Sequence, residues 1–411
     1  MKILRSVKLH FTSATKKKHQ KIHSIMDEYK HVVNSYIDIF WVERCREADL
    51  KKELLDRVQH PYFTQRLKQQ AAREALSMVN AAIEQAKAAS KEAEREIVPV
   101  KPTHYGNRMA LSTAICSFTE AKQSKTFDRW LSLRSIGDKI KIDIPIKLHR
   151  QFHKWNERGR LMGSFVIFRN YVQVTFEIQT GEKKPITNCV GIDTGINALA
   201  SLSTGEQIGL ELKELINIVK RRKKGSKGKA RAIKTLKDYI ALNAKRIVMS
   251  DISLIVVERL KGITHGTKLK GRLSKNMRSV IGSWNVRYWL TRLEMLCEEN
   301  RVSFRRVWPE NTSITCRQCG YVDKKNRNGE IFLCQSCGHR DNADINASRN
   351  ILNRFFTGPY GAGYEAGPIL LNTIGCVTIA KEHPYKDQKY VASYDLTKDI
   401  ETQLTLRNDV L

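Results

Sequence analysis

The chain has 411 residues, with 72 Lys and Arg against 42 Asp and Glu and a formal net charge of +30. This length allows two or three domains with cores of their own, and no apolar run of about 18 residues offers a membrane span. Repulsion on this scale calls for a polyanionic partner, and nucleic acid is the expected one, ahead of a merely basic soluble protein.

Residues 1–12 alternate apolar and polar positions through Val7, Leu9 and Phe11, which reads as a strand, and no signal-peptide apolar region follows. From Ser13 to Thr126 the spacing turns helical. Ile22, Ile25, Met26, Tyr29, Val32, Val33, Tyr36 and Ile37 recur on one face, and a second helix runs from Phe63 to Ile97, stopped by Pro99 and Pro102. Lys16, Lys17 and Lys18 open this region as candidate phosphate contacts. From Phe127 to Gln179 the period becomes two, through Ile140, Ile142 and Ile144 and then Val172, Val174, Phe176 and Ile178, with Arg169-Asn170 as a tight turn. The expected arrangement is a split β-domain, a small barrel or sheet formed by 1–12 and 127–185, carrying a helical insertion at 13–126.

After Pro185, NCVGIDTGINALASLSTGEQIG reads as two strands joined by a glycine turn, with Asp193 ending the first. The basic segment Glu211–Val248 reads as a solvated face or loop, and its Lys220, Arg221, Arg222, Lys223 and Lys224 are further candidate phosphate contacts. Ile252 to Val257 is an apolar run of strand length, expected to be buried on both faces and closed by Glu258. Thr264–Ser283 is a candidate mobile loop. Trp284–Asn300 returns to helix, Val302–Val307 is a strand, and a helix runs from Asp344 to Phe356. The tail, 357–411, carries no motif and is expected to be mobile.

Two Cys-x-x-Cys knuckles, Cys316/Cys319 and Cys334/Cys337, are each followed by glycine, Gly320 and Gly338. Four thiolates at this spacing close a tetrahedral zinc site. His339 is a weaker candidate, because four cysteines already fill the coordination. The other five cysteines are scattered without a pairing pattern, which fits a reducing cytoplasm. Three carboxylates stand at the ends of core elements: Asp193, Glu258 and Asp344. Adjacent buried strands would bring the first two together, and such a trio suits a pair of hard divalent cations and phosphodiester hydrolysis. Singly each signal is weak. An Asp after a strand is commonly a turn residue, and Asp344 could serve as a helix cap.

GIDTGINALASL, IVVERLKG and TSITCRQCG…CQSCG…DINASRNIL together resemble the three RuvC-type motifs and the zinc ribbon of the TnpB family. These are transposon-encoded RNA-guided DNA endonucleases related to compact type V CRISPR effectors. The resemblance covers 186–356 and extends loosely to the N-terminal half. It implies a multidomain α+β fold: a RuvC/RNase H-like α/β nuclease core (186–311 and 341–356), an inserted zinc ribbon (312–340), a split β-barrel wedge domain and a helical recognition domain. It implies Asp193, Glu258 and Asp344 as catalytic magnesium ligands for two Mg2+ ions, and the four cysteines as ligands of one Zn2+. Arg259 after Glu258 and Ala343 before Asp344 depart from the family pattern, and Asp341 stays open as an alternative third acid. The implied partners are a guide RNA and double-stranded target DNA beside a short protein-read motif, with a monomer on one RNA in a prokaryotic cytoplasm. A compact CRISPR effector, a silent RNA-guided repressor and an unguided transposase or resolvase are the competing readings.

Overall fold

A computed structural model describes residues 1–135, 140–248, 251–260, 279–280 and 282–357, with the backbone alone at 370–371 and 377–378. The expected mobile loop at Thr264–Ser283 and the tail lie almost wholly outside the described residues. The chain divides into two units, 1–181 and 182–411. Among the described residues no helix is long and apolar enough to cross a membrane.

In the first unit, β1 (Lys2–His10) alternates buried and exposed positions along its whole length. Helix α1 (Lys16–Val42) starts at Thr15, whose hydroxyl accepts from the Lys18 amide, and buries the stripe from Ile22 to Phe40. After the short α2 (Lys52–Leu55), α3 (Gln65–Ala93) turns the small residues Ala71, Ala72 and Ala75 into the core. The helix ends at Glu94, which takes a left-handed φ of 51°, so a backbone turn stops it before either proline is reached.

The helical reading of 13–126 needs correction at its C-terminal end. Residues 108–120 are β2 (Arg108–Ser112) and β3 (Cys116–Glu120), followed by β4 (Arg129–Arg134) and β5 (Lys141–Ile146). Strands of five residues with one or two buried positions are too short for a period of two to stand out in the sequence. After α4 (Arg150–Asn156) come β6 (Gly159–Phe168) and β7 (Tyr171–Gln179), joined by the Arg169-Asn170 turn. The strands form two antiparallel sheets, β1-β7-β6-β2 and β3-β4-β5. Where the sequence allowed a barrel, the described pairing leaves both sheets open, and they share one core with α1 and α3.

The second unit is built on a five-stranded sheet in the order β10-β9-β8-β11-β12. Its strands are β8 (Cys189–Asp193), β9 (Ala200–Leu202), β10 (Gln207–Ile208), β11 (Leu254–Glu258) and β12 (Ser303–Val307). The segment read as two strands thus holds three. β8, β11 and β12 run parallel, and β9 folds back antiparallel to β8. Leu254, Ile255, Val256 and Val257 are fully buried because both faces of the sheet are covered. Ile255 and Val257 pack with α5 (Leu212–Arg221), α6 (Lys227–Val248) and α7 (Val286–Glu299). Leu254 and Val256 pack with Ile351 and Leu352 of α8 (Ala343–Thr357). The basic segment is therefore a helix pair, and Arg222, Lys223 and Lys224 lie in the exposed turn between α5 and α6. Between β12 and α8, strands β13 (Arg327–Asn328), β14 (Ile331–Leu333) and β15 (Arg340–Asn342) make a small antiparallel ribbon.

Candidate active site and cysteine cluster

Two of the three acids are set by strand register. β11 pairs with β8 in parallel, with Val257 opposite Ile192, so the next residues, Glu258 and Asp193, close neighbouring strands at the same level. Adjacent strands lie about 4.8 Å apart, and the carboxyl ends of parallel strands are where such sheets expose reactive groups. Each carboxylate stands at the first position after its strand's buried run, where the cover of helices ends.

The third acid is brought by close packing of a helix on a strand. A methyl group in place of the Gly191 hydrogen would lie 2.1 Å from the Ser348 carbonyl oxygen and 2.8 Å from Leu352 Cβ. Glycine thus lets α8 rest on the backbone of β8. One turn before Ser348, Asp344 reaches the loop after β8: its Oδ2 lies 3.9 Å from where a Cβ on Gly195 would be. The Asn342 side chain accepts hydrogen bonds from the Asp344 and Ile345 amides at 2.9 and 3.2 Å. Asn342 therefore caps α8, and the Asp344 carboxylate is left for the site.

The electrostatics report the proximity. Burial pushes the Asp193 carboxyl up to about 8, and the Glu258 and Asp344 carboxylates add to the rise. Its residue keeps some surface exposure, yet the carboxyl itself sits deep among protein atoms. Burial also raises Glu258, against the Thr312 hydroxyl, which donates to Glu258 Oε1 at 2.5 Å, and against the nearby Arg354 charge. Arg327 donates to Asp344 Oδ1 at 2.6 Å and opposes the rise at both Asp193 and Glu258. Beneath the site the Trp289 indole donates to the Thr194 hydroxyl at 3.3 Å.

Asp341 faces other partners. Arg349 holds its Oδ2 at 2.5 Å, with Arg317 Nε at 3.5 Å and His339 Nε2 at 3.7 Å. His339 belongs with this group, its Nε2 accepting from Arg317 Nε at 3.3 Å, and the sulfur cluster consists of the four cysteines. The ligand atoms of Cys316, Cys319, Cys334 and Cys337 all lie within 4.8 Å of one another, with Cys316–Cys337 at 3.7 Å and Cys319–Cys334 at 3.5 Å. Four sulfurs about 2.3 Å from a central zinc would stand about 3.8 Å apart, so the donor set and its spacing fit that ion. Gly320 and Gly338 take φ values of 78° and 71°, the left-handed turn each knuckle requires.

Sequence reading missed the residues that tie the ribbon to the acids. Arg327 and Thr312 lie in irregular or very short segments where no period marks them. Asn346 and Asn350 did leave a signal, two amides four residues apart on one helix face. Asn346 Oδ1 accepts from the Arg317 amide at 3.1 Å and its Nδ2 donates to the Thr315 carbonyl at 2.8 Å. Asn350 Nδ2 donates to the Thr312 and Thr315 carbonyls at 2.9 and 2.7 Å. These bonds fix the entry of the ribbon onto the helix that bears Asp344. The expected phosphate contacts are surface features of both units. Lys16, Lys17, Arg221, Arg222, Lys223 and Lys224 are exposed, while Lys220 is half-buried and Lys18 lies 5.0 Å over the Trp130 ring.

The domain family described as Cas12f1-like, TNB domain, matches residues 288–351. The chain is 32% identical over 120 residues to the TnpB-like protein aq_aa05 of Aquifex aeolicus (strain VF5), covering 28% of this chain and 38% of that one. It is 25% identical over 211 residues to InsQ of Escherichia coli (strain K12), named as a candidate RNA-guided DNA endonuclease, covering 44% of this chain and 52% of that one. The chain thus spans about half or less of the length of these relatives. Among solved structures, the mini-RNA-guided endonuclease CRISPR-Cas_phi3 superposes with a TM-score of 0.54 at 11% identity, over 86% of this chain and 92% of that one. At that identity the likeness is one of fold.

Proposed function

We propose that this chain is a protein of the TnpB family, a reading supported by the matched domain and the TnpB-like relative, and that it is an RNA-guided, magnesium-dependent endonuclease that cuts double-stranded DNA beside a short protein-read motif. The observation that carries this reading is the convergence of Asp193, Glu258 and Asp344: burial raises the Asp193 carboxyl, and the Glu258 and Asp344 charges beside it add to the rise. The donor set is hard oxygen, suited to magnesium. Two such ions supply an activated water and a charge to steady the leaving oxygen. The protein's own groups prepare the place. Thr312 orients Glu258 and Arg327 orients Asp344, and the Asp193 carboxylate would be the third oxygen donor to the ions. Packing of α8 on Gly191 fixes the distance between the first acid and the third.

In the same reading Cys316, Cys319, Cys334 and Cys337 hold one zinc ion. That ion staples the ribbon which carries Arg327. The net charge of +30 is met by RNA and DNA. Base pairing between guide and target supplies sequence specificity, and the protein reads shape and the adjacent motif. The intact acid trio favours cleavage over silent repression.

The test is to isolate the protein with its nucleic acid, sequence what co-purifies and assay cleavage. A discrete RNA species is expected, with cleavage lost in Asp193→Ala while binding is kept. A preparation that cuts the same DNA equally well after RNA removal would refute guidance. Loss of binding in Asp193→Ala would make that residue structural.

A further inference from the structure

At the carboxyl edge of the five-stranded sheet, the residues beyond Glu258 on the side away from Asp193 have no part in the site above. Register sets Glu258 opposite Val307 in β12, and the Arg259 amide donates to the Val307 carbonyl at 2.7 Å, so Arg259 and Trp308 leave their strands side by side. Arg259 Cζ lies 4.9 Å from the centre of the Trp308 ring. Among the described residues the Arg259 guanidinium has no ion pair and no hydrogen bond. Trp308 joins none of the apolar clusters there, although it directly follows a core strand. Both side chains are half-buried. Arg259 stands where the chain departs from the pattern of the family it resembles, so the resemblance assigns it no role.

The loop that carries the indole is tied down. Arg354 of α8 donates to the Trp308 carbonyl at 2.7 Å, the Thr312 hydroxyl lies 3.1 Å from the Pro309 carbonyl, and Asn350 donates to the Thr312 carbonyl at 2.9 Å. The ring is thereby anchored to the helix that bears Asp344. A guanidinium held over an indole keeps its N–H donors at its edge and loses less freedom when it binds, and its fork matches two phosphate oxygens at once. The edge calls for such a group, because Asp193, Glu258, Asp344 and the exposed Glu310, whose charge reaches Glu258, all repel a phosphate. Adjacent strands lie about 4.8 Å apart. A nucleic-acid strand that crosses the edge from β8 to β12 therefore meets Asp193, then Glu258, then the Arg259–Trp308 pair.

We propose that Arg259, seated on Trp308, is a substrate-positioning residue that grips a phosphate close to the scissile one on the DNA strand being cut. The assignment rests on the endonuclease function proposed above and adds to it the side of the acids on which the strand is held. The contact is to the backbone, so it positions the strand and carries no sequence information.

The test is single-turnover cleavage, by the protein purified with its nucleic acid, of DNA in which one phosphate at a time on either side of the mapped cut is replaced by an uncharged methylphosphonate. At a position near the cut, on one side only, the replacement should slow wild type about tenfold. Arg259→Ala should be about tenfold slower on unmodified DNA and should lose nothing further at that position, since the contact is already gone. Arg259→Lys should regain part of the rate and of the sensitivity, and Trp308→Leu, which keeps the apolar cover, should blunt both. An Arg259→Ala variant that cuts at the wild-type rate overturns the proposal. So does one that is slower yet equally sensitive at the same phosphate, which marks a merely structural arginine. Binding of the same strands in Ca2+ needs no cut and keeps two failures apart. If wild type does not cut, the endonuclease reading falls, and the phosphate contact stands or falls on whether neutralising that phosphate weakens wild type and spares Arg259→Ala.

Discussion

Replacing Asp193 by Asn should stabilise the metal-free second unit at neutral pH. The folded protein raises this carboxyl from its ordinary value of 3.8 to about 8, through burial and then through Glu258 and Asp344. The sign follows from linkage. The unfolded chain releases this proton near pH 4 and the folded chain only near pH 8, so stability is lost as pH rises between the two. At pH 7 roughly three pH units of that window have been crossed, at about 1.4 kcal/mol each, which sets an upper limit of about 4 kcal/mol. Water reaching the partly exposed residue lowers the expected figure to about 2 kcal/mol. The assay is hydrogen exchange of the β8 and β11 amides in the presence of EDTA, which reads this unit alone. Protection in Asp193→Asn should exceed wild type by about thirtyfold at pH 7 and by much less at pH 5, where only about one unit of the window has been crossed. Magnesium should then favour wild type, because ligand binding stabilises the state that holds the ligand. An Asn variant no more protected than wild type at pH 7, or a gain of equal size at pH 5, would refute the claim that burial, with the Glu258 and Asp344 charges beside it, raises the Asp193 carboxyl.

Three further outcomes follow from the same geometry. Gly191→Ala would set a methyl group 2.1 Å from the Ser348 carbonyl, so α8 must retreat and Asp344 with it; single-turnover cleavage should fall about a hundredfold, and unchanged cleavage would dissociate helix seating from catalysis. Arg327→Ala removes the cation that opposes the rise at Asp193 and Glu258, so the acid limb of the pH–rate profile should move to higher pH by about one unit; a profile that stays in place would reduce Arg327 to a structural contact. Cys334→Ser should bring the zinc content down from about one ion per chain and unfold the ribbon, measured by metal analysis and by exchange at β14.

How much was legible in advance depended on the length of the pattern. The core strand read at Ile252–Val257 and the helix read at Trp284–Asn300, which the structure places at Leu254–Glu258 and Val286–Glu299, came from runs of apolar residues that only burial explains. β2 and β3 were hidden inside a region read as helical, because each offers only one or two buried positions. Arg327 and Thr312 reach the acids from segments without periodicity, so nothing in the sequence singled them out.

The order of residues by itself determined the chemistry available: four thiolates in two tight knuckles, three carboxylates closing core elements, and a surplus of positive charge. Such features are local or compositional, and the spacing of a few neighbours suffices to state them. Which of Asp341 and Asp344 faces Asp193 was decided only by tertiary structure. The two lie three residues apart, and the choice turns on Asn342 capping α8, Arg349 holding Asp341, and a missing side chain at Gly191 that lets the helix lie on the strand. Those contacts join residues about 150 positions apart in one case. No local pattern records them, because they exist only once the sheet and the helix have packed.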